Sequence, residues 1–382
     1  MNVYLDHNAT SVVRPAAREA MVHAMQVGGN PSSVHAAGRA ARALVEKARD
    51  QVAALIAAPP STIIFTSGGT EANALALESA VAAGARRLIV SAVEHDSVQE
   101  TSQVLGVAVE VLPVTPDGTA DLEWLKARLA AWDPADDGKP FVALMLANNE
   151  TGVIQPVAQA AELVRAADGW LHVDAVQSAG KIAVDSRALG ADTLAISAHK
   201  IGGPMGVGAL TFGPRATLSR RQHGGGQERG RRGGTENVPG IVGFGAAARE
   251  ALEGLGEFGR RAAWRDAAAR RLKAAGAVVM GEAAPRLPNT LNVAMAGWPA
   301  DIQVMNLDLA GVMVSAGAAC SSGKVKVSPV LAAMGQGELA GCAIRVSGGW
   351  NTTQGEWDRF VETWLDAQAR HAARHKTPAG VA

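Results

Sequence analysis

The sequence predicts an α/β protein: a large domain built on a seven-stranded, mainly parallel sheet, plus a smaller α+β domain. Three observations carry that expectation. From about residue 40 to 215, helical and β-type patterns alternate, as they do when strands are joined by packed helices. The 382 residues exceed the roughly 250–300 that one hydrophobic core sustains. Beyond residue 240 the alternation gives way to an Ala-rich helical stretch and a few separated strands.

Residues 40–57 carry apolar side chains at helical spacing, and residues 71–83 do likewise. Short apolar runs bounded by Gly, Pro, Asp or Asn predict strands at 63–66, 87–91, 107–112, 141–147, 170–174, 193–197 and 208–212. Sheets of this kind collect ligands at the C-terminal ends of their strands. The run RRQHGGGQERGRRGG at 220–234 reads by composition as a mobile, solvated basic surface loop. Residues 240–275 predict continuous helix, followed by strands at 290–294, 312–315 and 344–347 and a last helix over 356–374. The tail from His371 onward is expected to fray. This divides the chain into a large domain at 13–247 and a small one made of 1–12 and 248–382.

Composition narrows the function classes. Lys plus Arg number 36 and Asp plus Glu 36, so no chain-wide charge draws the protein to nucleic acid or an anionic membrane. Hydrophobic residues at 48% and charged residues at 19% exclude a disordered chain. Two cysteines, Cys320 and Cys342, cannot build a disulfide framework or a Cys-x-x-Cys metal pair, which points to a reducing compartment. The N-terminus shows no basic region followed by an apolar one, and no apolar run approaches the ~18 residues of a membrane helix. A cytoplasmic protein without membrane or nucleic-acid partners is the expectation.

Polar motifs fall at the ends of the predicted strands. TSGGTEAN at 66–73 joins a strand to a helix, and its Gly69 and Thr70 suit a phosphate at a helix N-terminus. An ordinary glycine-containing turn is the alternative. LHVDAVQ ends a strand on Asp174, with Gln177 three residues on. Such an acid either caps the next helix or holds a proton on a heterocycle nitrogen, as pyridoxal phosphate requires of its protein. ISAHKIGG places Ser197, His199 and Lys200 at the next strand end, where the lysine is either solvated or a Schiff-base amine flanked by phosphate donors.

SAVEHD sets His95 where an imidazole could stack on a planar ring or move protons, and ANNETG directs Asn149 and Glu150 into the same crevice. Taken singly, each of these suits a core or capping role equally well. Cys320, in SAGAACSSGK, sits among glycines, serines and lysines, the setting of an exposed, mobile thiol. Cys342, beside an apolar strand, reads as a buried small hydrophobe. Arg345 on that strand could fork a substrate carboxylate.

In this order the motifs resemble the cysteine desulfurases of the class V aminotransferase family, in particular the nitrogen-fixation and iron–sulfur-cluster type. The likeness runs from YLDHNAT at residue 4 through NPSSVH at 30–35 to IRVSGGWNTT at 344–353, nearly the whole chain. It implies a fold-type-I enzyme dependent on pyridoxal 5'-phosphate, a homodimer with sites at the subunit interface. By the resemblance, Lys200 is the Schiff-base lysine, His95 stacks on the cofactor ring and acts as acid or base, and Asp174 pairs with the ring nitrogen. Gln177 and Asn149 lie near the phenolic oxygen, with Asn149 also toward substrate. Gly69, Thr70, Ser197 and His199 form the phosphate cup, and Thr235 of RGGTEN reaches it from the other subunit. That last role competes with the simple surface-loop reading of 220–234. Arg345 matches the group that holds the substrate carboxylate, and Cys320 the nucleophile that receives sulfur.

The implied activity removes sulfur from L-cysteine, leaving L-alanine and a persulfide on Cys320 for a sulfur acceptor or an iron–sulfur scaffold protein. One Cys cannot hold an iron–sulfur cluster alone, so any metal role for Cys320 is transient ligation of a cluster on a partner. The alternatives are another class V enzyme, such as an aminotransferase or a selenocysteine lyase, and a non-catalytic sulfur carrier. Cys320 argues against an aminotransferase, the block around it does not resemble the RAGHHCA form of the selenocysteine-lyase-like branch, and retention of Lys200, Asp174 and His95 argues against the last. The chain departs from the usual SSGSACSS block at Ala316 and Ala318, and reads LDHNATS where LDNNATT is commoner.

Overall fold

The computed structural model describes residues 2–317 and 327–375. Strands β1 (Val3–Tyr4), β2 (Ile64–Thr66), β3 (Arg87–Ser91), β4 (Ala108–Leu112), β5 (Phe141–Ala143), β6 (Trp170–Asp174), β7 (Thr193–Ser197) and β8 (Gly208–Phe212) open the chain. All but β1 form a seven-stranded sheet in the order β2-β8-β7-β6-β5-β3-β4. β3 pairs in parallel with β4 and β5, β5 with β6, and β6 with β7. Only β8 runs against its neighbours β2 and β7. The seven strands expected from apolar runs are therefore the seven strands of this sheet.

β5 is shorter than expected, and one side chain explains why. Beyond Ala143 the chain still bonds β6, through Leu144 N–H to His172 O at 3.0 Å and Leu146 N–H to Asp174 O at 2.8 Å. On its other side the Glu94 carboxyl accepts the Met145 N–H, in place of a strand neighbour. Glu94 is thereby drawn into the interior next to the cavity described below.

Helices Ala36–Leu55 and Val238–Glu253 bury apolar stripes on one side of the sheet, in a core that holds Val45, Val52, Ile241 and Phe244. On the other side, helix Gly69–Ala82 carries Ala or Leu at most positions from 72 to 80 and is buried on nearly every face, as a helix without a polar face must be. The stretch 240–275 is not one helix. It breaks at Gly254 into Val238–Glu253, Leu255–Arg260 and Ala262–Ala274, because Gly254, Gly256 and Gly259 each weaken helical propagation. The first of these crosses residues 247 and 248, with Ala247, Ala248 and Ala251 all packed in the core of the larger sheet.

The rest of the chain supplies β9 (Val278–Val279), β10 (Thr290–Ala294), β11 (Val312–Met313), β12 (Ser315–Ala316) and β13 (Ala343–Ser347). Four of these form an antiparallel sheet, β12-β13-β10-β9, while β11 pairs in parallel with β1. Trp298, Trp357, Phe360 and Trp364 fill the core beneath it. The last helix, Gln354–His375, does not fray at residue 371: His371 stacks on Trp298 with ring centroids 5.4 Å apart. Among the described residues, no helix is long and apolar enough to cross a membrane.

The basic segment at 220–234 is anchored rather than simply solvated. Glu228, 7% exposed, takes two hydrogen bonds from buried Arg49 at 2.8 and 2.9 Å and one from Phe65 N–H at 3.0 Å. Arg232 pairs with Glu71 at 2.9 Å, and Arg221 with Glu78 at 2.5 Å.

Candidate active site

Turns that leave the parallel strands converge on a cavity of about 250 Å³. Gly69, Thr70, His95, Asn149, Asp174, Gln177, Ser197, His199 and Lys200 all line it. Asp174 ends β6 and Ser197 ends β7, so adjacent parallel strands bring both to the same rim. A Cβ on Gly69 would lie 2.8 Å from a Val176 methyl group, so glycine lets these two turns approach closely. Its helix begins at the cavity wall and turns free N–H groups toward it.

Asp174 is 5% exposed, and both of its oxygens accept hydrogen bonds. Oδ1 accepts from Val176 N–H at 2.9 Å, and Oδ2 from Asn73 Nδ2 at 2.8 Å. Lys200 Nζ donates to the backbone carbonyls of Asn8 at 2.6 Å and Ala9 at 2.9 Å. Burial, then the charge of Arg345, brings its pKa from 10.5 down to about 8, against the pull of Asp174 and Asp6. His199 drops to about 4, first by burial and then by the Lys200 and Lys181 charges, so it is a neutral ring near neutral pH.

Two expected site residues do not line this cavity, and a third cannot be placed against it. Arg345, on β13, is buried beside it: Nη2 donates to Asp6 Oδ1 at 2.8 Å, Nη1 to Asn149 O at 3.3 Å, and Nε is buried with no partner among the described residues. Thr235 lines a second cavity of about 150 Å³ with Ser67, Gly206 and Glu236. Cys320 lies outside the described residues.

Two further expectations need correction. Glu150 does not face the Lys200 cavity, because its Oε2 accepts from Ser328 Oγ at 2.6 Å and a Cβ on Gly317 would lie 2.9 Å from the same oxygen. Glu150 is thus bonded to Ser328 and lies close to the Gly317 backbone. Cys342 is half-buried rather than buried.

The family model for class-V aminotransferases matches residues 3–360. The chain belongs to that family. It is 43% identical over 371 residues to a cysteine desulfurase of Cereibacter sphaeroides, covering 94% of each chain. It is 39% identical over 363 residues to the cysteine desulfurase IscS of Dictyoglomus turgidum, covering 92% of this chain and 91% of the other. Among solved structures it is similar to a NifS-like protein of Rickettsia africae, with a TM-score of 0.89 at 32% identity, covering 97% of this chain and all (100%) of that one.

Several polar residues around the class-V cavity were not foreseen as site residues. Asn8, 1% exposed, joins most of them. Its carbonyl accepts from Lys200 and from Gln177 Nε2, its Oδ1 from Lys181 Nζ at 2.8 Å and Asn289 at 3.2 Å, and its Nδ2 donates to Asn149 O and Thr290 Oγ1. Lys181 also donates to Gln177 Oε1 at 2.7 Å, which turns the Gln177 amide nitrogen the other way, toward the Asn8 carbonyl. Burial pulls the Lys181 pKa well below its ordinary value, and the charges of Lys200 and Arg345 add to this. Asn73, His172 and Ser97 form a further group behind Asp174. For Asn73 in TEANALAL and His172 in WLHVD, the available signal was a polar side chain inside an otherwise apolar helix or strand.

Proposed function

We propose that this chain is a pyridoxal-phosphate-dependent cysteine desulfurase, which moves the sulfur of L-cysteine onto Cys320 and releases L-alanine. What carries the reading is the convergence on one cavity of Lys200, Asp174, His95 and a set of phosphate-type donors. It is supported by relatives that bear that activity in their names and align over 92–94% of this chain. Two domains organise it, with helix Val238–Glu253 the last element of the larger.

The donor set fits the cofactor. A carboxylate held by two N–H donors lines the cavity together with Thr70, Ser197, a neutral His199 and a helix start. Val176 and Met145 add apolar wall. When bound, pyridoxal phosphate supplies the electron sink that makes bonds around the substrate α-carbon labile.

The chain's own residues do the rest. With its pKa near 8, Lys200 is in part an unprotonated amine near neutral pH and can bond a carbonyl carbon or remove a proton from carbon. Asp174 keeps an acceptor facing the cavity, which favours a protonated ring nitrogen there. Arg345 holds the substrate carboxylate, with its unpartnered Nε as the open donor. The Cys320 thiolate attacks the substrate sulfur; an S–S bond forms as the substrate Cβ–S bond breaks. The carbon that keeps the electron pair takes up a proton and becomes the methyl group of alanine. The persulfide then passes to a sulfur acceptor in a cytoplasmic setting, with iron–sulfur assembly the favoured destination.

The test is product analysis of purified protein given L-cysteine and a reductant. Alanine and sulfide should appear one to one, and Cys320→Ser should abolish both while still binding cofactor. Pyruvate in place of alanine, or amino transfer to a keto acid, would assign a different class V activity.

A further inference from the structure

Along the cavity wall a line of hydrogen bonds runs from β6 and β7 to His95, buried as far as Ser97 and part-buried at His95, and donor capacity sets its direction at both ends. The Trp170 indole can only donate, and its Nε1 lies 3.1 Å from Thr193 Oγ1. Thr193 Oγ1 is therefore an acceptor there, and its own hydrogen has one remaining partner, His172 Nδ1 at 3.0 Å. That leaves Nδ1 of His172 bare and the ring proton on Nε2, which faces Asn73 Oδ1 at 3.0 Å. The His172 ring is fully buried and stays neutral, since burial lowers its pKa to about 3.

With its oxygen toward His172, Asn73 spends both amide hydrogens on the other side. One goes to Asp174 Oδ2 at 2.8 Å and one to Ser97 Oγ at 2.9 Å. Ser97 Oγ has thus accepted, and its own proton points to its remaining neighbour, His95 Nδ1 at 3.0 Å. The far end agrees independently. The Ser97 backbone N–H, which can only donate, also lies 3.0 Å from His95 Nδ1. Reversing any member of the buried stretch would leave a hydrogen without an acceptor or set two acceptors face to face, and the interior penalises both.

We infer that Asn73, His172 and Ser97 are positioning residues that hold His95 as a neutral imidazole with its proton on Nε2 and Nδ1 locked as an acceptor. In the cavity His95 is then a fixed N–H donor and a flat stacking surface. Proton transfer at the substrate carbon falls to Lys200. The same Asn73 amide steadies Asp174, so one side chain orients groups on two walls of the cavity.

The bearing on catalysis rests on the desulfurase reading, but the tautomer does not, so the two fail separately. The experiment is two-bond ¹H–¹⁵N correlation of histidine rings in ¹⁵N-labelled holoenzyme near neutral pH, with His95 assigned by the signals lost in His95→Gln. Both His95 and His172 should show a pyrrole-type Nε2 and a pyridine-type Nδ1. In Ser97→Ala the His95 Nδ1 resonance should move toward that of a nitrogen with fewer donors, and His172 should not change. A protonated Nδ1 on His95, a doubly protonated His95 ring, or an unmoved Nδ1 in Ser97→Ala would overturn the inference. If the variant does not fold, the wild-type spectrum decides alone.

Discussion

Lys200 shares its surroundings with the Arg345 guanidinium and the buried Lys181 amine. Burial alone disfavours an ammonium ion, and Arg345 is the next largest influence lowering the Lys200 pKa to about 8. The sign of the consequence is simple. Only the unprotonated amine attacks an aldehyde, so the rate at which cofactor-free protein forms an imine with pyridoxal phosphate should climb as pH rises through about 8 and then level off. In Arg345→Gln, where the second cause is gone, the midpoint of that rise should move to higher pH. Rapid-mixing absorbance across a pH series measures it. A midpoint that stays put, or falls, would show that Arg345 does not act on the amine.

At the scale of elements, the 220–234 segment shows how a glycine-rich, basic sequence becomes fixed. Glu228 and Arg229 adopt φ of 47° and 57°, a left-handed pair rare outside glycine, and the buried Arg49–Glu228 pair offsets that strain. Arg49 also lies over the Phe65 ring, 4.7 Å from its centroid. Glu228→Ala strands a buried guanidinium and should cost about 3–5 kcal/mol. Glu228→Gln keeps an acceptor for Phe65 N–H and should cost less. Urea unfolding reads both, and a loss under about 1 kcal/mol for the alanine variant would place the pair among surface ion pairs. None of this was legible beforehand, because composition describes a loop's solubility and not the arginine awaiting it on a distant helix. The seven sheet strands were legible, since each is a short apolar run between turn residues, and so were the motifs at their ends. Glu150 was misplaced because a strand-end residue can point to either side of the turn. Asn8 was missed because its partners at 149, 181, 200 and 289 are joined to it only by the fold. The helix across 247/248 was split because an Ala-rich run does not reveal which core it joins.

At the scale of the whole molecule, the separation of Thr235 from the Lys200 cavity becomes informative. Within one chain, Thr235 lines a different cavity, next to Ser67 and Glu236, and its segment is pinned there by the Glu228 and Arg232 ion pairs. A phosphate contact from Thr235 therefore calls for a second copy of the chain. Val12, Val13 and Met205 are exposed at 43%, 43% and 69%, and the N–H groups of Ser11 and Arg14 donate to the carbonyls of His199 and Gly202 on either side of Lys200, so apolar surface lies near the site for a partner to cover. Mixed dimers separate the possibilities. A chain with Thr235→Ala is combined with one carrying Lys200→Ala, and the heterodimer is isolated by two different tags. If Thr235 acts across the interface, the site with Lys200 intact receives a normal Thr235 from its neighbour, while the other site loses both. The heterodimer should then bind one cofactor per dimer as an imine, with the affinity of the unmodified protein. If Thr235 acts within its own chain, every site of the heterodimer is impaired. Its imine absorbance should then titrate no more tightly than that of the Thr235→Ala homodimer, and the shared-site arrangement would be wrong.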